Sequence, residues 1–253
     1  MKNNIFKRWW FKLIGIQQQI DYFNGINKRL SDIENRQEEI LYSEFFHDIS
    51  KDSDWYKYKN ISPSGWAINY KGLWVIYNIL TKTNPHNILE FGLGQSSKLI
   101  HQYADFFPGI TATTYEHDKN WASFFLKDVD EKYLVNIYYT EIEKTKYNGF
   151  ETLSYKNNCK ELNNDKFDFI LVDGPFGSDH YSRSQILHII PDCLNKSFCI
   201  LIDDAERKGE QETIDALCRI FDDNHIDYCF TLFCSTKSIA LFCSTDFQFL
   251  TTV

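Results

Sequence analysis

One run, Asn87-Ile88-Leu89-Glu90-Phe91-Gly92-Leu93-Gly94-Gln95-Ser96-Ser97, constrains what this chain can fold into more than any other. An apolar stretch of strand character meets an acid, two glycines follow within three residues, and a helix-like stretch opens at once. Such a strand-turn-helix passage belongs to an open α/β sheet, whose glycine turns sit at the carboxyl edge where ligands bind. The glycines allow a tight turn and close backbone approach to a ligand.

The rest of the chain agrees with that placement. Strand patterns at 87–91, 111–116, 133–139, 167–172 and 198–202 alternate with helical patterns at 96–107, 120–128, 184–193 and 210–221. Repeated βα order implies a parallel sheet covered by helices on both faces. The last two apolar segments, 228–234 and 238–243, lie one short turn apart and predict an antiparallel hairpin. The expected fold is therefore α/β and doubly wound: a mostly parallel seven-stranded Rossmann-like sheet ending in an antiparallel hairpin, over residues 61–253. A helix at 66–80 precedes its first strand.

Residues 1–60 read as an N-terminal helical extension. Phe23, Ile26, Leu30, Ile33 and Ile40 recur in steps near three and four, a heptad-like seam interrupted by Gly25 and Gln37. The seam admits two readings, a homodimeric coil or packing on the chain's own domain. The start of the chain is basic and aromatic, with Lys2, Lys7, Arg8 and Lys12 around Trp9-Trp10-Phe11. It suits a frayed helix or peripheral contact with a membrane surface. Lys12 breaks the apolar run before it could serve as a signal-peptide core, and no stretch is long enough to span a bilayer.

The net charge of -8 argues against nucleic acid as a partner. Seven cysteines with no C-x-x-C pair, mostly in apolar runs, read as buried free thiols of a reducing compartment. The expected location is the cytoplasm, with the inner membrane face as the peripheral alternative.

The glycine run lacks the third glycine of the dinucleotide fingerprint, since Ser97 stands in its place. That counts against a nicotinamide dinucleotide and weakly for S-adenosylmethionine, whose ammonium suits the Glu90 carboxylate better than a pyrophosphate would. The second strand ends in Tyr115-Glu116-His117-Asp118, where Glu116 is placed to accept hydrogen bonds from ribose hydroxyls. Expected cofactor contacts are Glu90, Gly92, Gly94, Ser96, Glu116, His117 and Asp173. The later strands also end in acids, at Asp173 and at Asp203-Asp204. These should be neighbours at the carboxyl edge, where three carboxylates suit Mg2+ or Mn2+, or else cap turns and act without metal.

Together, 87–96, 116–118, Val172-Asp173-Gly174-Pro175-Phe176-Gly177 and Ile202-Asp203-Asp204-Ala205-Glu206-Arg207 resemble the class I S-adenosylmethionine-dependent methyltransferases, in particular bacterial members encoded with surface-polysaccharide genes. The acid edge is similar to that of metal-dependent sugar and catechol O-methyltransferases. Phe176 stands where the catechol type would have a lysine base. The resemblance implies O-methylation of a saccharide or glycoconjugate hydroxyl, a small-molecule or glycan partner, and a metal held by Asp173, Asp203 and Asp204. Asp173 and His180 are the candidates for the base, because a carboxylate or neutral imidazole accepts a hydroxyl proton. Arg183 is the candidate for an anionic substrate group. An NAD-dependent oxidoreductase and a catalytically silent Rossmann-like assembly module stand as alternatives.

Overall fold

The computed structural model describes residues 7, 9, 10, 12, 15–63, 65, 67–127, 136–156, 162 and 165–252. Of the expected membrane-facing cations, Lys2 and Arg8 lie outside these, as does Cys159. Helix α1 (Ile16–Ser50) leads to α2 (Tyr70–Thr83). Next come β1 (Asn87–Phe91), α3 (Gln95–Phe106), β2 (Thr111–Glu116), α4 (Lys119–Lys127) and β3 (Ile137–Tyr139). A hairpin, β4 (Ile142–Tyr147) and β5 (Phe150–Tyr155), precedes β6 (Phe167–Val172), α5 (Gln185–Ile189) and β7 (Leu194–Ile202). The chain ends with α6 (Lys208–Asp223), β8 (Cys229–Cys234), β9 (Ser238–Cys243) and a 3-10 segment, Thr245–Thr252.

Seven strands form one sheet in the order β3-β2-β1-β6-β7-β9-β8. All neighbours from β3 to β7 are parallel, and β9 runs antiparallel to both β7 and β8. This is the doubly wound, Rossmann-like sheet expected from the alternation and the terminal hairpin. Its central strands read as almost continuous apolar runs because both their faces are covered. In β6, Phe169 and Leu171 pack on one side with α2 and α3, through Leu73, Ile76, Leu99 and Ile100. Ile170 and Val172 face the other side with α5 and α6, through Ile186, Leu217 and Phe221.

Strand order reverses beside β1: the chain moves outward to β2 and β3, then returns to place β6 on the opposite side. That reversal opens a crevice at the carboxyl ends of β1 and β6.

The structure departs from the sequence expectation in several places, among them the helices expected at 66–80 and 184–193, which span 70–83 and 185–189. The β4-β5 hairpin was not anticipated, because β4 is polar and β5 buries the polar side chains of Thr152 and Ser154 rather than an apolar run. Its signal was the turn Asn148-Gly149, whose positive φ angles of 47° and 83° are those of a two-residue hairpin turn. The N-terminal helix runs to Ser50, past the expected seam, and Phe46, Trp55 and Tyr56 belong to the main core, so packing on the domain begins well before residue 61. Strand β3 begins at Ile137, while 133–135 lie outside the described residues. Finally, Cys193, Cys199 and Cys243 are buried and free as expected, but Cys234 is exposed at the end of edge strand β8, whose outward side chains face solvent. Among the described residues no helix is long and apolar enough to cross a membrane.

Candidate functional site

The crevice at the switch point is a cleft of about 470 Å3 walled by the turns after β1, β2 and β6. Two glycines bring those turns together. Gly92 has φ 98°, and a Cβ on it would meet the backbone carbon and oxygen of Asp173 at 2.8 and 2.9 Å. A Cβ on Gly174 would meet Gly92 in return, at 2.9 Å, and run into the hydroxyl of Tyr155. Any side chain at either position would force the β1 and β6 turns apart. Gly94 differs: it is extended, and a Cβ there would meet nothing within 4 Å, which leaves its face of the cleft free for a ligand.

Glu90 and Ser96, both expected at the cofactor, lie behind the turn and do not line the cleft. Ser96 Oγ and Thr114 Oγ1 donate to the Glu90 carboxylate at 2.6 and 2.7 Å, and none of its surface is exposed. Burial pushes the Glu90 carboxyl up to about 7, although both hydroxyls oppose the shift. Glu90 therefore pins α3 and β2 to the turn from within.

Glu116 does face the cleft. Its Oε2 accepts from Leu93 N at 2.9 Å, and its Oε1 accepts from the backbone of His117 and Asp118 at 2.6 and 2.7 Å. Burial would raise this carboxyl, but the bonds from His117, Asp118 and Leu93 hold it below its ordinary value. It remains a carboxylate with acceptor capacity left on Oε2. His117 lies beside it with Nδ1 3.1 Å from Glu116 Oε1 but without hydrogen-bond alignment, and its buried Nε2 has no hydrogen-bond partner. Trp121 Nε1 donates to Leu93 O at 2.6 Å and closes the same wall. Gly92, Gly94, Glu116, His117 and Asp173 are thus brought together as expected.

At the ends of β6 and β7, Asp173, Asp203 and Asp204 present oxygens within 4.8 Å of one another. They converge on three cations of the chain itself, Arg183, Lys237 and Arg207. Arg183 is 4% exposed; its Nη2 reaches Asp204 Oδ2 at 2.7 Å and Asp173 Oδ1 at 3.3 Å. Its Nη1 donates to the carbonyls of Asp203 at 2.7 Å and Val172 at 3.3 Å, and its Nε faces Glu210 at 3.7 Å. Lys237 Nζ stands 3.2 Å from Asp203 Oδ2 and 3.1 Å from Asp204 Oδ1, and Arg207 Nη1 reaches Asp204 Oδ2 at 3.0 Å.

Burial raises Asp203 against the pull of Lys237, and burial together with the Asp203 charge raises Asp173 well above the carboxylate range. Asp204 is held low, because Arg183, Lys237 and Arg207 outweigh its burial. Arg183 and Asp204 both have left-handed backbones, with φ 59° and 58°, a strain of about 1–3 kcal/mol each that the ion pairs over-determine.

Arg183, expected at an anionic substrate group, lines the cleft with its Nη groups directed at protein acceptors as counter-ion of the cluster, while its Nε has no hydrogen-bond partner. Lys237 was missed from sequence. Its signal was a lysine in the hairpin turn after β8, beside the strand that ends in Asp203. His180 also departs from expectation. Its Nδ1 is engaged by Glu212 at 2.9 Å and its ring stacks on Phe150 at 4.2 Å, in a second groove lined by 177–180 and 207–210. Gly177 and Arg207 belong to both clefts and join them.

Two groups can be tested against this geometry. S-adenosylmethionine fits: the open face of Gly94, the acceptor left on Glu116 and the partnerless Nε2 of His117 offer space, an anionic acceptor and an idle polar atom on one wall. A divalent ion does not fit. The aspartates have the hard oxygen chemistry for it, and Asp203 Oδ1 is buried without a partner, but the nitrogens of Arg183 and Lys237 stand 2.7–3.3 Å from one oxygen each of Asp173 and Asp203 and from both of Asp204, and already supply positive charge there. An added ion would be pressed against both.

No family model matches the chain, and no curated protein matches it. Solved structures resemble it in chain trace. One is the O-methyltransferase TomG of Streptomyces achromogenes, involved in tomaymycin synthesis and solved with SAM; identity is 12%, coverage 71% of this chain and 82% of that one, and the TM-score 0.49. A methyltransferase from Geobacter sulfurreducens is 12% identical over 81% of this chain and 89% of its own, with TM-score 0.49. The O-methyltransferase of Bacillus cereus, in complex with SAH, is 13% identical over 81% and 91%, with TM-score 0.47. The fold assignment rests on the strand order and not on these likenesses.

Two outcomes follow from the buried charges. Because the folded protein holds the Glu90 proton up to about 7, the unfolded chain releases it first as pH rises from 4.5, and stability falls across that window. Glu90→Gln should raise the thermal midpoint at about pH 8, by up to roughly 3 kcal/mol in stability, with little effect near pH 4. Lys237→Ala should cost roughly 2–4 kcal/mol by leaving buried carboxylates unpaired. Mn2+ should recover part of that loss in the variant while leaving the wild-type melting curve unchanged; equal stabilisation of both proteins would contradict the assignment of Lys237 as the cluster's cation.

Proposed function

We propose that this protein is an S-adenosylmethionine-dependent methyltransferase that transfers the methyl group to a hydroxyl of a saccharide or glycoconjugate precursor, using its own cations in place of a metal. The observation that carries the reading is the cleft at the switch point, which Gly92, Gly94, Glu116 and Asp173 line together. When bound, S-adenosylmethionine supplies an electrophilic methyl carbon on a sulfonium.

The chain's own residues do the rest. Gly94 leaves room for the cofactor against the backbone, and Glu116 accepts from ribose hydroxyls. In the same cleft, Asp173 in its ionised form takes the acceptor's proton as the new carbon–oxygen bond forms and the carbon–sulfur bond breaks; burial and the neighbouring Asp203 charge, which raise its affinity for a proton, make that ionised form a strong base. Arg183 and Lys237 hold the acids in register, so that the acceptor oxygen meets fixed charge and little solvent rearrangement. The second groove gives the acceptor a path past Arg207, and half-exposed Phe176 offers a sugar ring an apolar face.

A nicotinamide dinucleotide is disfavoured by Ser97. This residue is fully buried in the third glycine's place, and its Oγ accepts from Gly94 N at 2.9 Å.

Calorimetric titration with S-adenosylhomocysteine and, separately, NADH tests the reading. S-adenosylhomocysteine should bind and NADH should not. Glu116→Ala should weaken binding roughly 10- to 100-fold through loss of charged hydrogen bonds. Chelation should leave both binding and methyl transfer unchanged. Binding of neither nucleotide would remove the enzyme reading and favour the silent assembly module.

A further inference from the structure

Helix α1 meets the domain along one side only. Glu38 pairs with Lys71 at 3.0 Å, and Glu39 accepts from Tyr70 N at 2.5 Å and from Ser235 Oγ at 3.2 Å. Tyr42 packs edge-on against Trp74, with ring centroids 5.1 Å apart, and Phe46 is 2% exposed in the core. Residues 38, 39, 42 and 46 share one face of a helix that turns about 100° per residue.

The apolar seam lies on the opposite face. Phe23, Leu30, Ile33 and Ile40 are 62%, 52%, 52% and 61% exposed. Before Glu38 the helix carries about 22 residues, roughly 33 Å of length, projecting from the domain. The domain cannot reach the seam, since covering it would require turning α1 by half a turn and losing the Glu38, Glu39 and Phe46 contacts. An isolated helix of that length with a glycine at 25 and a bare apolar stripe is marginal in water.

We infer that the seam is covered by α1 of a second copy of this chain, as a parallel two-stranded coiled coil. In heptad register, Ile16, Phe23, Leu30 and Gln37 take the a positions, and Gln19, Ile26, Ile33 and Ile40 the d positions, so the seam is apolar from Phe23 to Ile33 and polar at Gln19 and Gln37. The charges beside the seam choose the orientation. Arg29 and Arg36 fall at g, and Glu34 is the charged residue at e. A parallel pair sets Arg29 of each helix against Glu34 of the other, whereas an antiparallel pair brings g against g and so arginine toward arginine. Gln37 is a single polar a residue near the base, of the kind that favours one register. Because the docking face is opposite the seam, the two domains would flank a central coil without meeting across it. The base of that coil also holds the β8-β9 turn, through Glu39 to Ser235 and through Lys71, which donates to Cys234 O at 2.8 Å; this is the turn that carries Lys237.

Sedimentation velocity of the full chain at micromolar concentration tests the inference, with thermal melting as the control for folding. The wild type should sediment as a dimer, and the Leu30→Glu, Ile33→Glu double variant as a folded monomer. Arg29→Glu or Glu34→Arg alone should raise the dimer dissociation constant roughly tenfold, and the two together should restore it. A monomeric wild type overturns the inference, including one that binds anionic phospholipid vesicles through the same seam. A dimer weakened equally by the single and double charge variants overturns the parallel pairing.

Discussion

The Arg183 guanidinium, buried among four acids and two carbonyls, ties the ends of β6 and β7 into one piece. Its Nη1 and Nη2 donate to Val172, Asp203 and Asp204, and its charge stands 3.3 Å from Asp173 and 3.7 Å from Glu210, which fixes those groups relative to one another. Without that cation the aspartates would repel in a space nearly closed to water, and the carboxyl edge of the sheet would splay. The loop carrying Arg183 and the α6 residues around Glu210 are held by the same group. Ser182 Oγ donates to Glu210 Oε1 at 2.8 Å, so both sides of the acid cluster share one network.

That network has a chemical consequence. A cleft whose acids are neutralised by fixed side chains keeps its charge whatever metal is present, and its geometry is set when the chain folds. Lys237 adds a long-range element. It comes from the final hairpin, far along the chain, and reaches the acids because β9 pairs antiparallel with β7, Ala240 beside Ile202. The same turn rests on α1, which links the base of the projecting helix to the wall of the cleft.

Much of the fold was legible in advance, for identifiable reasons. Strands buried on both faces must be apolar throughout, so β1, β6 and β7 stand out in any reading, and the glycine turn after β1 marks the switch point. Glu116 and Asp173 were legible because an acid that ends a central strand faces the carboxyl edge. The β4-β5 hairpin was obscured by its polar strands, whose buried positions include Thr152 and Ser154, leaving only its Asn-Gly turn as a cue. Glu90 sits at a strand end like Glu116, but its side chain turns inward to Ser96 and Thr114, a choice between two faces that a local pattern does not record.

The sequence by itself determined the doubly wound sheet, the place of the cleft and which acids edge it, because burial periodicity and glycine turns are local properties of the chain. Only the tertiary structure decided what those acids meet. Arg183 and Lys237 come from separate loops, and their arrival between Asp173, Asp203 and Asp204 depends on strand order and on the antiparallel return of β9. Charge compensation acts through space, and space at this edge is assembled from residues distant along the chain.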